Sequence, residues 1–355
     1  MTTWQQRIEM IMEAADRWLN KDAVLSRSVD KTAGEGLFTR QDIEFSLNHI
    51  RNTVTKETLT DWCIKAGADR TGGDPDKTVL CLHAGNLPLV GFQDVMAVLL
   101  SGYHYAGKIS KKDPYLLPGF LDALSQSGFT GDLKHSPELD NYRDLHADVV
   151  MFSGSGDSAK QVKERISKLG IARDDTAYLI RTASFSMVYL DKEDDGSLSD
   201  LAEAILRYEG KGCRSVAMVV SPCEPDELIE RLEGILERFW ENNPPIKVLT
   251  PKTKYRQAYN TALGKKQHLF RHLLIQQHGV ELDNDDVIFW IKGDQRKAGK
   301  LAKSNLTRLQ NIYTVNENLT IPEFGDHIQP LSSAQTPPID WQPDGIDPLS
   351  WLVLH

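Results

Sequence analysis

The chain has 355 residues, 40% of them hydrophobic and 26% charged, with a formal net charge of -9. That length exceeds what one hydrophobic core usually fills, so two α/β lobes are expected, and the ordinary composition excludes a fibrous or low-complexity chain. The acidic balance, with no long basic tract, excludes a nucleic-acid footprint. No apolar window approaches the ~20 residues that span a bilayer, so no membrane span is expected. The N-terminal MTTWQQRIEMIMEAADRW lacks the basic segment, apolar run and cleavage site of a signal peptide. Four cysteines (Cys63, Cys81, Cys213 and Cys223) show neither metal-type pairing nor a disulfide framework, so a reducing, cytoplasmic setting is expected.

In chain order, MTTWQQRIEMIMEAADRWL and Thr39 to Val54 carry apolar residues near helical spacing. From Thr78 the pattern changes. TVLCLHAG (Thr78–Gly85) reads as a strand, LVGFQDVMAVLLSG as a helix, YHYAGKIS as a strand, and PYLLPGFLDALSQSG as a helix with Pro114 near its first turn. ADVVMFSG is a strand, and DSAKQVKERISKLG a helix stopped by Gly170. AYLIRT and SMVYLD are short strands. SLSDLAEAILRYEGKG is a helix, SVAMVVS a strand, and PDELIERLEGILERFWEN a helix. Strands spaced by helices of this length predict parallel α/β layers. The acidic run DKEDDG marks a lobe boundary near Tyr189–Ser199. The expected division is 1–190 for N-terminal helices and a cofactor lobe, 191–320 for a catalytic lobe, and 321–355 for a tail packing on the cofactor lobe or a partner subunit. His268, His272 and His278 are expected on a helix and its exit, without metal-ligand spacing, so no metal is assigned.

Three segments carry candidate chemistry. Asn86 sits where a strand turns into a helix; its amide there can donate to a developing oxyanion or simply cap a turn. Cys213, in YEGKGCRSVAMVV, lies between a helix and a strand, with Gly210 and Gly212 opening the backbone. Its neighbours Lys211 and Arg214 are cations of the kind that lower a thiol pKa. Cys63 and Cys81 read as buried small residues, and Cys223 as a surface thiol. The turn Ser153-Gly154-Ser155-Gly156 opens a helix as a phosphate-approach turn does, though its spacing is not that of the dinucleotide fingerprint GxGxxG.

Taken in order, these segments resemble the aldehyde dehydrogenase superfamily. Within it they resemble the long-chain acyl-CoA reductase family, related to the reductase that supplies aldehyde to bacterial luciferase. AGNLPLVGFQDVMAVLLSGYHYAGKISKKDPYLLP is similar to the family segment from oxyanion asparagine to cofactor lysine, FSGSGDS to its turn over the cofactor phosphates, and GKGCRSV to its nucleophile segment. AQTPPIDWQPDGIDPLSWL is similar to its closing segment. The resemblance implies Asn86 and Cys213 as catalytic residues, and Lys108, Ser153, Gly154 and Ser155 at the cofactor.

Two departures refine the expectation. Where ordinary aldehyde dehydrogenases carry a base glutamate, this chain has Arg181-Thr182-Ala183-Ser184-Phe185, which favours acyl transfer and reduction over hydrolysis. Where NAD-preferring relatives place a glutamate after the cofactor lysine, this chain has Lys111, which suits the 2′-phosphate of NADPH or is a solvated basic turn. The expected activity is NADPH-dependent reduction of a fatty acyl thioester, with coenzyme A as part of the substrate, through an acyl-cysteine. A hydrolytic aldehyde dehydrogenase using Glu203 or Glu209, and a non-catalytic acyl-binding subunit of a fatty-acid reductase complex, remain as alternatives. The donor is an acyl-CoA or an acyl-protein thioester, with a homodimer and an acyl-synthetase partner both open.

Overall fold

The computed structural model describes residues 3–21, 23–70, 76–129, 131–246, 248–277, 286–316, 318–319, 321, 324 and 328–355. The chain divides into two compact units: Met1–Thr182 together with Pro338–His355, and Ala183–Pro337.

Unit 1 begins with helices α1 (Trp4–Asp16), α2 (Ala23–Gly34), α3 (Arg40–Thr53) and α4 (Lys56–Ala66). Thr3, Thr39 and Thr55 cap α1, α3 and α4, each accepting the backbone N–H three residues on, which satisfies an otherwise orphaned donor. Gly67, at φ 76, ends α4 in the left-handed region that glycine enters without strain.

A parallel sheet follows, made of β1 (Thr78–Leu82), β2 (His104–Lys108), β3 (Leu133–Ser136), β4 (Ala147–Ser153) and β5 (Ala172–Arg181) in the order β3-β2-β1-β4-β5. Helices α5 (Phe92–Ser101), α6 (Leu116–Gln126) and α7 (Gly156–Lys168) link its strands. Along β1, Val79 and Cys81 join one apolar cluster while Leu80 and Leu82 join another. Both faces are therefore covered, and the strand reads as an unbroken apolar run. The last helix, α12 (Pro348–Leu354), packs with this unit: Leu349 and Leu352 are fully buried in the cluster that holds α1 and α5. Asp347 accepts the indole N–H of Trp62 at 2.9 Å, and Tyr103 Oη donates to the Leu352 carbonyl at 3.1 Å.

Unit 2 carries a sheet ordered β12-β11-β6-β7-β10-β9-β8. Its strands are β6 (Phe185–Tyr189), β7 (Val216–Ser221), β8 (Gln267–Leu269), β9 (Leu274–Gln276), β10 (Val287–Lys292), β11 (Leu309–Thr314) and β12 (Ile328–Pro330). All paired strands are parallel except β8 with β9. Helices α8 (Asp195–Leu206) and α9 (Ile229–Asn242) pack with Val188, Val219 and Trp290, while α11 (Gln295–Ser304) packs with Met187, Met218 and Ile312.

The expected two-unit α/β architecture with parallel sheets is present. The expectation of a helix carrying the three histidines fails. Helix α10 (Pro251–Ala262) closes early because Gly264 turns to φ 60, and the chain re-enters the sheet. His268 lies on β8, ion-paired to Asp226 at 2.5 Å, and His272 lies in the turn to β9. His278 falls outside the described residues. Among the described residues no group of three or more His, Cys, Asp or Glu side chains could hold a metal, and no helix is long and apolar enough to cross a membrane.

Candidate functional site

In unit 1 the strand order reverses between β1 and β4. In open parallel sheets that is the point where the loops leaving the carboxyl ends diverge and a ligand fits. Asn86 lies in the loop leaving β1, Lys108 ends β2, and Ser153 ends β4 with Gly154 and Ser155 after it. The structure thus brings every residue expected at the cofactor, and Asn86, to one edge of one sheet.

The backbone there is shaped by specific contacts. Ser155 caps α7, its hydroxyl accepting the Ser158 N–H at 3.2 Å, and the first turn of the helix is exposed. A side chain at Gly154 would come within 2.6 Å of the Phe152 ring, so glycine lets the strand end fold over that ring. The Gly154 N–H is spent on the Arg181 carbonyl at 3.0 Å. Lys108 has its pKa lowered by partial burial and then by repulsion from Lys111. The Lys111 ammonium in turn pairs with Glu138 at 2.7 Å, both side chains being exposed. Two cations and a capped helix N-terminus form a donor set that fits an anionic dinucleotide. Asp157 in the first turn of α7 weighs against a second anion at that end.

The loop holding Asn86 is packed hard against the loop after β2. At Gly85 a side chain would meet Ser110 Oγ at 2.1 Å, so only glycine fits. Leu89 adopts φ 57, a conformation costly for a branched side chain. Its N–H donates to Asp113 Oδ2 at 2.8 Å, which offsets that cost. Asp113 is buried, and desolvation pushes its carboxyl up to about 6 against the pull of backbone donors. Below the loop, His83 is buried with Nε2 2.7 Å from Tyr105 Oη, and burial holds it down to about 4, so it is a neutral packed histidine. Beside it, Arg181 and Asp94 form a buried ion pair at 2.5 Å, only 5% and 14% exposed. The buried guanidinium keeps its proton because Asp94 offsets the desolvation.

In unit 2, Cys213 sits just before β7, at the amino end of that strand. The switch-point rule does not point there. The chain leaves α8 through Tyr208, Glu209 and Gly210, at φ 58, 54 and 72. Two successive non-glycine residues in the left-handed region mark a held, costly bend. The next turn closes on itself: Ser215 N–H donates to the Gly212 carbonyl at 2.9 Å, and Gly212 N–H to Ser215 Oγ at 3.2 Å. Ser186 at the start of β6 then ties it down, its N–H donating to the Ser215 carbonyl at 2.9 Å and its hydroxyl to the Cys213 carbonyl at 3.0 Å. Cys213 is half-buried and is not part of a disulfide.

One sequence expectation needs correction. Lys211 is not a free cation beside the thiol: the bend folds its ammonium onto Glu209, whose other oxygen accepts the Ile246 N–H at 2.7 Å. Glu203 is likewise engaged, bonded by Arg207 at 2.6 and 3.0 Å. Both carboxylates that could have served a hydrolytic enzyme already hold cations. Of the other thiols, Cys223 is half-buried as Cys213 is. Cys81 and Cys63 are buried, the latter pushed up to about 11 by desolvation, and Cys223 is raised by desolvation and by Glu193.

Asp113, Ser186 and the Arg181–Asp94 pair were not singled out from sequence. The only signals were an aspartate before Pro114 and a serine following the altered base segment.

No curated protein matches the chain in sequence. Among solved structures, aldehyde dehydrogenase 21 from Physcomitrella patens, in complex with the reaction product succinate, aligns with TM-score 0.69 at 12% identity, covering 99% of this chain and 84% of that one. A NAD-dependent benzaldehyde dehydrogenase from Corynebacterium glutamicum aligns with TM-score 0.65 at 14% identity, covering 93% and 80%. Betaine aldehyde dehydrogenase from Staphylococcus aureus, in complex with NAD+, aligns with TM-score 0.60 at 14% identity, covering 89% and 73%. Likeness at this identity shows the fold. The family is shown by sequence: the model for acyl-CoA reductase (LuxC) matches residues 4–323. The chain therefore belongs to the acyl-CoA reductase (LuxC) family and carries the aldehyde dehydrogenase fold.

Proposed function

We propose that this enzyme reduces a fatty acyl thioester to the aldehyde through an acyl group carried on Cys213, using NADPH. The reading rests above all on one observation: Cys213 sits in a turn clamped by Ser186. By the resemblance, Arg181, which is buried against Asp94, falls where a hydrolytic enzyme would carry its base. A thioester intermediate lasts long enough for reduction only if water near it is not activated.

Cys213 Sγ attacks the acyl carbonyl carbon, and the Asn86 amide together with a backbone N–H beside the thiol donates to the oxygen that gains charge. The bond to coenzyme A breaks, and its sulfur leaves with a proton. A bound nicotinamide would supply a hydride. The acyl carbon on Cys213 takes it up as the carbonyl electron pair moves to oxygen, where the Asn86 amide holds the charge, and return of that pair expels the Cys213 thiolate and releases the aldehyde. Lys108, Ser153, Gly154 and Ser155 hold the cofactor's ribose and phosphates, and Lys111 meets the 2′-phosphate, exchanging Glu138 for it. In this division of labour unit 1 binds the cofactor and unit 2 carries the nucleophile. A reducing cytoplasm suits the four free cysteines. The donor is acyl-CoA, or an acyl-cysteine delivered by a synthetase.

The test is to incubate the protein with acyl-CoA without reductant, digest it, and locate the acyl group by mass spectrometry. The expected label is on the peptide bearing Cys213. A Cys213→Ala variant that still acquires it would end the proposal.

A further inference from the structure

The turn carrying Cys213 is fixed from beneath by side chains that the catalytic steps above do not use. Ser186 is fully buried, and it bonds to Cys213 and Ser215 at once. The phenol of Tyr313, itself fully buried, lies near it. That phenol accepts an N–H from Asn311 at 3.2 Å and donates to the Ala334 carbonyl at 3.4 Å. Burial pushes Tyr313 up to about 12, so it remains protonated near neutral pH. Three polar side chains (Ser186, Tyr313 and Asn311) thus lie in a layer whose neighbours, Val188 and Val219, are fully buried and apolar. Burying a hydroxyl or amide costs stability unless it is bonded, and a bonded network fixes one arrangement where an apolar core tolerates several.

The carbonyl and side chain of Cys213 leave the same α-carbon. Anchoring the carbonyl therefore limits the arc through which Sγ can swing. We propose that Ser186, tied by its hydroxyl to the Cys213 carbonyl and by its N–H to the Ser215 carbonyl, is a positioning residue: it aims the Cys213 thiol at the acyl carbonyl. The inference rests on the reading of Cys213 as acyl acceptor.

The test compares two reactions of the same sulfur. Acyl transfer from acyl-CoA demands a fixed line of attack, whereas alkylation by iodoacetamide, a small freely diffusing reagent, does not. In Ser186→Ala, single-turnover acylation of Cys213 is expected to slow about tenfold, the loss of one ordinary hydrogen bond. Alkylation of Cys213, and of Cys223 in the same unit as an internal standard, is expected to stay at the wild-type rate. A Ser186→Ala protein acylated at the wild-type rate overturns the inference and leaves Cys213 as acyl acceptor. Equal losses in acylation and in Cys213 alkylation also overturn it, since they mark a loosened turn and not an aimed one. Wild-type protein that takes no acyl group on Cys213 overturns the functional reading, and this inference with it.

Discussion

The loops of unit 1 leave the carboxyl ends of parallel strands, whereas the Cys213 turn of unit 2 leads into the amino end of β7. Any sheet with this strand order opens a crevice at the first place, so the fold itself supplies an edge where a ligand fits, and Lys108, Gly154 and Ser155 stand on it. Nothing in the topology calls for a fixed turn at the second. It is built residue by residue, from a left-handed bend at Tyr208 and Glu209, a self-closing turn at Ser215, and the bonds from Ser186. A generic edge tolerates change in individual side chains. A built turn does not.

The largest effect that would break this contrast lies under the edge itself. Asp94→Ala leaves the buried Arg181 cation without its partner and is expected to destabilise unit 1 by about 4 kcal/mol, read by urea unfolding and by faster amide exchange in β1 and β5. Unchanged exchange there would show that the pair does not brace the edge. Next, Asn86→Ala is expected to slow acylation about a hundredfold while leaving Cys213 alkylation intact. A smaller loss would make Asn86 a turn residue only.

Asp113 gives a pH signature. Its folded pKa, about 6, lies above the usual carboxylate value, so between about pH 4 and 6 the native state holds a proton the unfolded state has released. Stability from this group is therefore present at low pH and falls as pH rises through that window, by roughly 3 kcal/mol. His83, held down to about 4, contributes a slope of opposite sign in the same range. The wild-type curve mixes the two, and the informative quantity is its difference from Asp113→Asn. That variant keeps an acceptor for Leu89 and is expected to lose only the falling term; parallel curves would remove Asp113 from the account. The smallest effect belongs to the exposed rim. Lys111→Glu is expected to shift preference from NADPH toward NADH about tenfold, since it sets a carboxylate against the 2′-phosphate. An unchanged ratio of the two rates would take Lys111 out of the cofactor site.

The sequence was most legible where burial is two-sided. TVLCL, ADVVMFS and VAMVVS are apolar runs because helices cover both faces of each sheet, and they stand out for that reason. β3, with two of its four residues exposed, and the three-residue strands β8 and β9 have no such run. The histidines at 268 and 272 were expected on a helix for lack of weight given to Gly264. The Glu209–Lys211 pair was invisible for another reason. Residues two apart point to different sides of a helix and stand ~7 Å apart along a strand; here the bend at 208–210 brings them together. Asp113 looked like part of a solvated SKKDP turn, and only the fold shows that its carboxylate points inward to Leu89.

The return of residues 338–355 to unit 1 fixes an order of assembly. All of unit 2 lies within 183–337, so it is complete on the ribosome before the segment carrying Leu349 and Leu352 has been made. The unit synthesised first thus closes its core last. Until then, the groove that α12 fills beside Trp62 and Tyr103 is open to chaperones, proteases or the wrong chain.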